Sequence, residues 1–156
     1  MFEDPEEEVK EITLRVYGIL IDPLKGVLVS DELERGKYFS KFPGGGLEPG
    51  EGTIDCLLRE WMEELGQRIE VIKHFYTTDF FQRSVFDPHK QVISIYYLIK
   101  ALEEMKGRIS EKPFENSKEG SPSFRWIKLE DFSEDNLTFP IDKLVAGLIS
   151  ADRTNR

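Results

Sequence analysis

Ten residues in the first third of the chain, Pro43-Gly44-Gly45-Gly46-Leu47-Glu48-Pro49-Gly50-Glu51-Gly52, constrain the fold more than any other stretch. Three consecutive glycines between two prolines exclude a helix. Glycine loses the most backbone freedom on ordering, and proline lacks the N–H that a helix interior needs. The residues that follow reverse this preference. Thr53 to Leu65 reads as a helix, with Thr53 as a fair N-cap and Gly66 placed as its left-handed C-cap. The chain must therefore set a tight loop and an acidic helix in direct succession.

A helix advances about 100° per residue. With Glu60 set at zero, Glu63 falls near about −60° and Glu64 near about +40°. Ile54, Leu58, Trp61 and Leu65 fall between about +100° and +160°, so this face is expected to pack on a sheet. The adjoining face gathers three carboxylates within one turn. Their mutual repulsion is mildly destabilising, by roughly 0.2–0.5 kcal/mol for a pair at i, i+4. A hard divalent cation would convert that repulsion into ligation. A Glu-rich helix by itself is ordinarily a solvated surface; the loop before it changes the reading.

The flanks alternate strand and turn signals. Ile12 to Ile21 has strand periodicity, with Ile12, Leu14, Val16 and Leu20 on one side. Asp22 to Gly26 is a turn, Val27–Val29 a returning strand and Tyr38 to Phe42 a short extended piece. Ile69 to Phe81 and Gln91 to Ala101 are strand runs joined by a turn at Phe86-Asp87-Pro88-His89-Lys90, a plausible long hairpin. Residues 103–123 are polar and loop-like, 124–127 a short strand, and Ile141 to Ser150 an amphipathic helix. Strands, helix, strands, helix argue for an α+β fold or a mixed sheet with helices on its faces.

Spacing in the loop and helix carries the sharper signal. Gly45 is followed by five residues and Glu51, then by seven residues and Arg59-Glu60-Trp61-Met62-Glu63-Glu64-Leu65-Gly66. This resembles the box of the Nudix (MutT-like) hydrolase family, matching at Gly45, Glu51, Arg59, Glu60, Glu63, Glu64 and Gly66, with Trp61 in the apolar slot. Phe42-Pro43-Gly44-Gly45 is also typical of the family. Gln67 departs from the final apolar position. The resemblance implies an α/β/α sandwich with a central mixed β-sheet, and one domain over 1–156 with an acidic tail at 1–8 and a polar tail at 151–156.

The resemblance also implies a role for each matching residue. Glu60 and Glu64 are the main ligands for Mg²⁺ or Mn²⁺, Glu63 a further ligand or water-orienting group, and Glu51 a loop carboxylate assisting the site. A backbone carbonyl near Gly45 or Gly46 is an added ligand, and Arg59 orients a glutamate by ion pairing. The implied reaction is metal-assisted hydrolysis of a diphosphate linkage. In some members a downstream loop supplies the general base. Here Glu119 is the first candidate and Glu115 the second, and a box glutamate is the alternative. Arg35, Lys41, Phe81 and Arg83 are candidate substrate contacts, though loop cations and strand aromatics have bland readings as solvated or core groups. His74 and His89 lack partners at metal-site spacing. Cys56 reads as close packing rather than a reactive thiol.

Composition narrows the remaining classes. The formal charge of −9 disfavours non-specific binding to nucleic acid or anionic membrane. No run approaches the ~18 apolar residues of a membrane span, and the acidic N-terminus does not read as a secretory signal. One cysteine suits a reducing cytoplasm. The expected substrate is a small nucleoside diphosphate derivative: a nucleotide sugar, an ADP-ribose-like compound, a dinucleoside polyphosphate or a nucleoside triphosphate. Gln82 stands sixteen positions after Gly66, where many ADP-ribose hydrolases carry proline, which weakens that member of the set. The alternative is a non-catalytic nucleotide-sensing or protein-binding module, disfavoured because every box glutamate is present. An isomerase of the isopentenyl diphosphate type shares the fold but needs a catalytic cysteine, and Cys56 lies inside the box helix. Family analogy leaves a homodimer open.

Overall fold

The computed structural model describes residues 8–154. The acidic tail expected at 1–8 lies, apart from Glu8, outside the described residues. The elements run β1 (Glu11–Asp22), β2 (Gly26–Glu34), β3 (Lys37–Lys41), β4 (Gly44–Gly46), α1 (Thr53–Leu65), β5 (Ile69–Thr77), β6 (Lys90–Ala101), β7 (Ser123–Ile127), a 3-10 turn (Glu134–Asn136) and α2 (Pro140–Thr154). α2 continues into the stretch expected as a polar tail.

The sheet is mixed, in the order β3-β2-β1-β6-β5, with β4 on β1 and β7 on β2. β1 and β6 run parallel from Glu11↔Lys90 to Leu20↔Ile99, and every other strand pair is antiparallel. A parallel pair needs a long crossover, and the segment from β2 to β5, with α1 in it, supplies one. β1 changes partner along its length. Its middle pairs with β4 at Arg15↔Gly46, Val16↔Gly45 and Tyr17↔Gly44, while its end pairs with β2. The Gly-rich segment, expected as loop, thus contributes a three-residue strand that delivers the box to the centre of the sheet. Gly44 needs its φ of +156° here, and a Cβ would strike the Val16 carbonyl.

Alternation along β1 sends successive residues to opposite layers. Val16 and Leu20 join Cys56, Leu57 and Trp61 of α1 in one core, while Tyr17 and Ile19 join Ile141, Val145 and Ile149 of α2 in the other. That is the expected α/β/α sandwich. Within α1 the buried set differs from expectation. Trp61 is buried as foreseen, but Ile54 and Leu58 are exposed, and Cys56 and Leu57 take their place. The helix is rolled toward its polar side, because the Glu60 carboxylate must lie against Gly45. Trp61 packs so closely that a Cβ on Gly18 would stand 3.0 Å from its Nε1 and 2.7 Å from Ile99 Cδ1. Burying a ring of this size contributes on the order of 3 kcal/mol.

Gly66 caps α1 in the left-handed conformation as expected, but the N-cap is Gly52, and Thr53 Oγ1 instead meets Tyr97 OH at 2.7 Å. Gln67, the departure from the family pattern, is buried and donates from its amide to the carbonyls of Arg68 and Glu103. A polar side chain there fastens the end of β6 instead of filling an apolar slot. Behind the site, buried Asp31 on β2 accepts from Arg125 of β7 at 2.6 Å and from Ser40 of β3 at 2.6 Å, locking those three strands together.

Candidate active site

The box folds around Arg59. Its guanidinium holds both oxygens of Glu51, at 2.9 and 2.6 Å. It also donates to Glu60 at 3.0 Å, to Glu63 at 3.3 Å and to the Gly46 carbonyl at 3.1 Å. One cation thus ties the loop to the helix and gathers three carboxylates. The Glu51 carboxyl is held down at about 2, first by Arg59 and then by the Glu48 N–H. Glu51 is accordingly fastened as a strut whose oxygens are both occupied.

Glu60 lies over the backbone of Gly45. A Cβ on Gly45 would stand 2.5 Å from each Glu60 oxygen, and Gly45 is not among the positive-φ glycines. Glycine is required at this position by the carboxylate rather than by the turn. Glu64, one turn on, faces Glu60, Glu32, Lys41 and Arg15 within electrostatic reach. Its carboxyl is pushed up to about 7, first by loss of water and next by Glu32 and Glu60, with Lys41 and Arg15 opposing. As a residue Glu64 is exposed, so the crowded wall, and not a sealed interior, is its setting. Cys56 beneath the loop is buried, and its thiol is pushed up to about 12 by burial and Glu51. That makes it inert packing, as its sequence position suggested.

Beside this wall, on the face of the sheet that α2 covers only in part, opens a cleft of about 290 Å³. Its inner end is made by Arg15, Tyr17, Glu32 and Lys41, and Glu64 stands just beyond them. Part of its lining is aromatic: Phe39 lies 5.6 Å from Phe86 and 5.1 Å from Phe139, ring centre to ring centre. On the floor Tyr96 OH donates to the buried carboxylate of Asp142 at 2.5 Å. Burial pushes the Asp142 carboxyl up to about 6.

The four substrate contacts expected from sequence separate here. Lys41 lines the cleft, but its ammonium is already bound to Glu32 at 3.0 Å and to the Gly44 carbonyl at 3.1 Å. Burial pulls that ammonium down, yet Glu32 and Tyr17 outweigh it and keep Lys41 above the ordinary lysine range. Arg35 lies on the rim, donating to the Phe86 carbonyl. Arg83 also lines the cleft and donates to the Pro88 carbonyl. Phe81 is outside the lining; it is exposed, with the Arg83 guanidinium over its ring.

Glu119 is not brought to the box. It pairs with Leu33, and its carboxylate accepts from the Arg35 N–H at the β2–β3 turn. Glu115 accepts from the N–H groups of Glu111 and Lys112 within its own loop. The residues missed in the sequence are Arg15, Tyr17, Glu32, Tyr96 and Asp142. The overlooked signal was the second face of β1, where Thr13, Arg15 and Tyr17 alternate with the apolar set.

A NUDIX domain model matches residues 12–148. The chain belongs to the NUDIX family. It is a Nudix pyrophosphohydrolase, an enzyme of a family that acts on small nucleotide substrates. It is similar to a nucleoside triphosphatase, NudI, of Escherichia fergusonii, 28% identical over 106 residues, covering 66% of this chain and 71% of that protein. In fold it is similar to the E. coli ORF135 protein (TM-score 0.68, 19% identity, 94% of each chain). It is also similar in fold to a MutT protein from Methanosarcina mazei Go1 (TM-score 0.64, 20% identity, 98% of this chain and 99% of that one). Among the described residues no helix is long and apolar enough to cross a membrane.

Nudix hydrolases in general need a divalent metal. The donor set fits a hard cation: the carboxylates of Glu60, Glu63 and Glu64 and the carbonyl of Gly45, with a glycine cradle that brings backbone and Glu60 together. As the side chains stand, Arg59 holds Glu51, Glu60 and Glu63, and among the described residues no three acidic, His or Cys groups converge at ligating distance. Arg59 engages only one oxygen of Glu60, so the other stays available to a cation.

Proposed function

We propose that this Nudix enzyme is an Mg²⁺- or Mn²⁺-dependent hydrolase that cleaves the diphosphate linkage of a nucleoside diphosphate derivative, with nucleoside triphosphates the first class to test. The observation that carries the reading is the adjacency of the carboxylate wall to a cleft lined by both cations and aromatic rings. A ligand with a diphosphate at one end and a flat ring at the other matches that lining. The similarity to a nucleoside triphosphatase is the reason we test triphosphates before nucleotide sugars, dinucleoside polyphosphates and ADP-ribose-like compounds.

Glu60 and Glu64 would hold the cation, with Glu63 as a further ligand or water-orienting group and the Gly45 carbonyl beside them. When bound, the cation neutralises diphosphate charge and lowers the pKa of water. The chain's own residues do the rest. Arg59 keeps Glu51, Glu60 and Glu63 from splaying apart, and positioning of this kind supplies much of an enzyme's rate. Phe86 and Phe139, both partly exposed in the cleft lining, offer stacking faces, and Arg35 and Arg83 flank the rim. Proton removal from the attacking water is assigned to Glu63. It is the most exposed carboxylate that Arg59 contacts on the helix and is held there by one contact, at 3.3 Å. Glu119 is committed to the Arg35 N–H. Buried, unpaired Cys56 fits a reducing, cytoplasmic setting.

The test is a panel of nucleoside triphosphates and nucleoside diphosphate derivatives with Mg²⁺ in ¹⁸O-water, with mass analysis of the products. Turnover with one ¹⁸O in a phosphate product is expected. No turnover of any member, with Mg²⁺ or Mn²⁺, overturns the reading.

A further inference from the structure

We infer that Arg15, aimed by the Tyr17 hydroxyl, is a phosphate clamp: the end of its guanidinium grips non-bridging oxygens of the substrate's diphosphate from the side opposite the carboxylate wall. The inference rests on the hydrolase reading above and adds a residue that the family box does not contain.

Position comes first. Arg15 lies in the middle of β1, opposite Gly46 on one neighbouring strand and Ser94 on the other. It is on the cleft side of the sheet, two residues from Tyr17, and both line the inner end of the cleft. A Cβ on Gly46 would stand 3.9 Å from Arg15 Nη1, so the guanidinium borders the backbone that carries the box. Glu60, Glu64 and Glu32 are all within its electrostatic reach.

Donor use comes next. Arg15 Nε donates to Tyr17 OH at 2.6 Å, the sole hydrogen bond of this side chain among the described residues. A guanidinium has two donor edges that match an oxyanion with paired parallel N–H bonds. Tyr17 occupies Nε and fixes the plane, leaving the Nη1–Nη2 end to the cleft. The other inner cation, Lys41, has no such vacancy, since Glu32 and the Gly44 carbonyl take its ammonium. Arg35 and Arg83 sit farther out and donate to carbonyls.

A purely structural reading fits less well. A half-buried guanidinium whose single bonded partner is a neutral hydroxyl is a poor strut, because removing a charge from water is costly without a charged partner or full hydrogen bonding. Lys41 and Arg125, the other cations built into this region, each have a carboxylate within 3.0 Å. Among the described residues Arg15 has no carboxylate at salt-bridge distance, so a ligand oxyanion completes its shell. Electrostatically, a phosphate lying between the cation-loaded wall and Arg15 is neutralised from both sides.

The test uses Arg15→Lys, which keeps the charge but loses the fork, and Tyr17→Phe, which keeps the ring but frees Nε. The probe is inorganic pyrophosphate with Mg²⁺, its binding followed by calorimetry and its inhibition constant measured against the best substrate. Arg15→Lys is expected to weaken pyrophosphate about 10–100-fold, with kcat/KM falling in step, and Tyr17→Phe about 3–10-fold. Wild-type protein that binds no pyrophosphate, or an Arg15→Lys variant whose binding stays within twofold, overturns the clamp, whatever the melting temperatures do. If the wild type hydrolyses nothing yet binds pyrophosphate through Arg15, the hydrolase reading falls and the clamp stands. If it hydrolyses normally and the variants are unchanged, the clamp alone falls.

Discussion

Replacing Gly45 with alanine isolates the site from the fold. The backbone there accepts an L-residue, since Gly45 is not among the positive-φ positions. The added Cβ would stand 2.5 Å from each Glu60 oxygen, whereas ordinary contact begins near 3.4 Å. The carboxylate must therefore retreat by about 1 Å, and a displacement of that size costs on the order of 10²-fold in rate when it misplaces a catalytic group. That is about 2.7 kcal/mol of transition-state stabilisation, at about 1.36 kcal/mol per decade. The atoms that give way are the far end of a flexible side chain, so the fold should lose less than about 1 kcal/mol. The assay is kcat/KM at saturating Mg²⁺ beside the melting temperature and Mn²⁺ affinity by calorimetry. A loss of about 10²-fold in kcat/KM with weaker Mn²⁺ and a melting point within a few degrees is expected. Wild-type kinetics within threefold would refute the placing of Glu60 against Gly45 as a catalytic requirement.

Five further outcomes are expected. Glu64→Gln should lower turnover by at least about 10²-fold with a retained fold, and a chelator should abolish wild-type activity until Mg²⁺ or Mn²⁺ is restored; residual rates near wild type in either case dismiss Glu64 as a ligand. Arg59→Ala removes the partner of three carboxylates and should destabilise the protein by on the order of 1–3 kcal/mol as well as reduce kcat/KM, read by denaturant titration and kinetics. Glu119→Gln should change the rate by less than about fivefold, because its carboxylate serves the β2–β3 turn; a loss of about 10²–10⁴ would return it to the role of base. Asp142 is raised from 3.8 to about 6 by burial, so the folded state binds its proton more tightly than the unfolded state does. Its contribution is fully present below about pH 4 and is lost as pH rises through 6, a change of roughly 3 kcal/mol. Asp142→Asn should therefore melt above the wild type at pH 8 and level with it at pH 4, and a gap independent of pH would contradict this.

Local signals made most of the fold legible. Period-two alternation marked β1, runs of β-branched and aromatic residues marked β5 and β6, and the Gly66 C-cap marked the end of α1. β4 escaped because three glycines carry no periodicity; only its pairing with β1 reveals it. The roll of α1, which exposes Ile54 and Leu58, follows from a tertiary contact between Glu60 and Gly45 that angular bookkeeping on one helix does not contain. At the site, contiguous residues were readable: Arg59 connects Glu51, Glu60, Glu63 and the Gly46 carbonyl, with Glu60 against Gly45 and Glu64 one turn on. The cleft was not readable, because Arg15, Glu32, Lys41, Tyr96 and Asp142 come from five separate elements and meet only through strand register. Arg35 and Arg83 reached its lining and Phe81 did not, a difference set by which way each side chain leaves an irregular segment.

The most direct measurement is anomalous diffraction from a crystal soaked in Mn²⁺ and a non-hydrolysable nucleoside triphosphate analogue. A manganese peak bonded to Glu60 and Glu64, with the phosphates touching it and the base in the cleft against Phe86 or Phe139, is the expected result. A map with the ion away from both carboxylates, or with the nucleotide outside the cleft, would contradict the account.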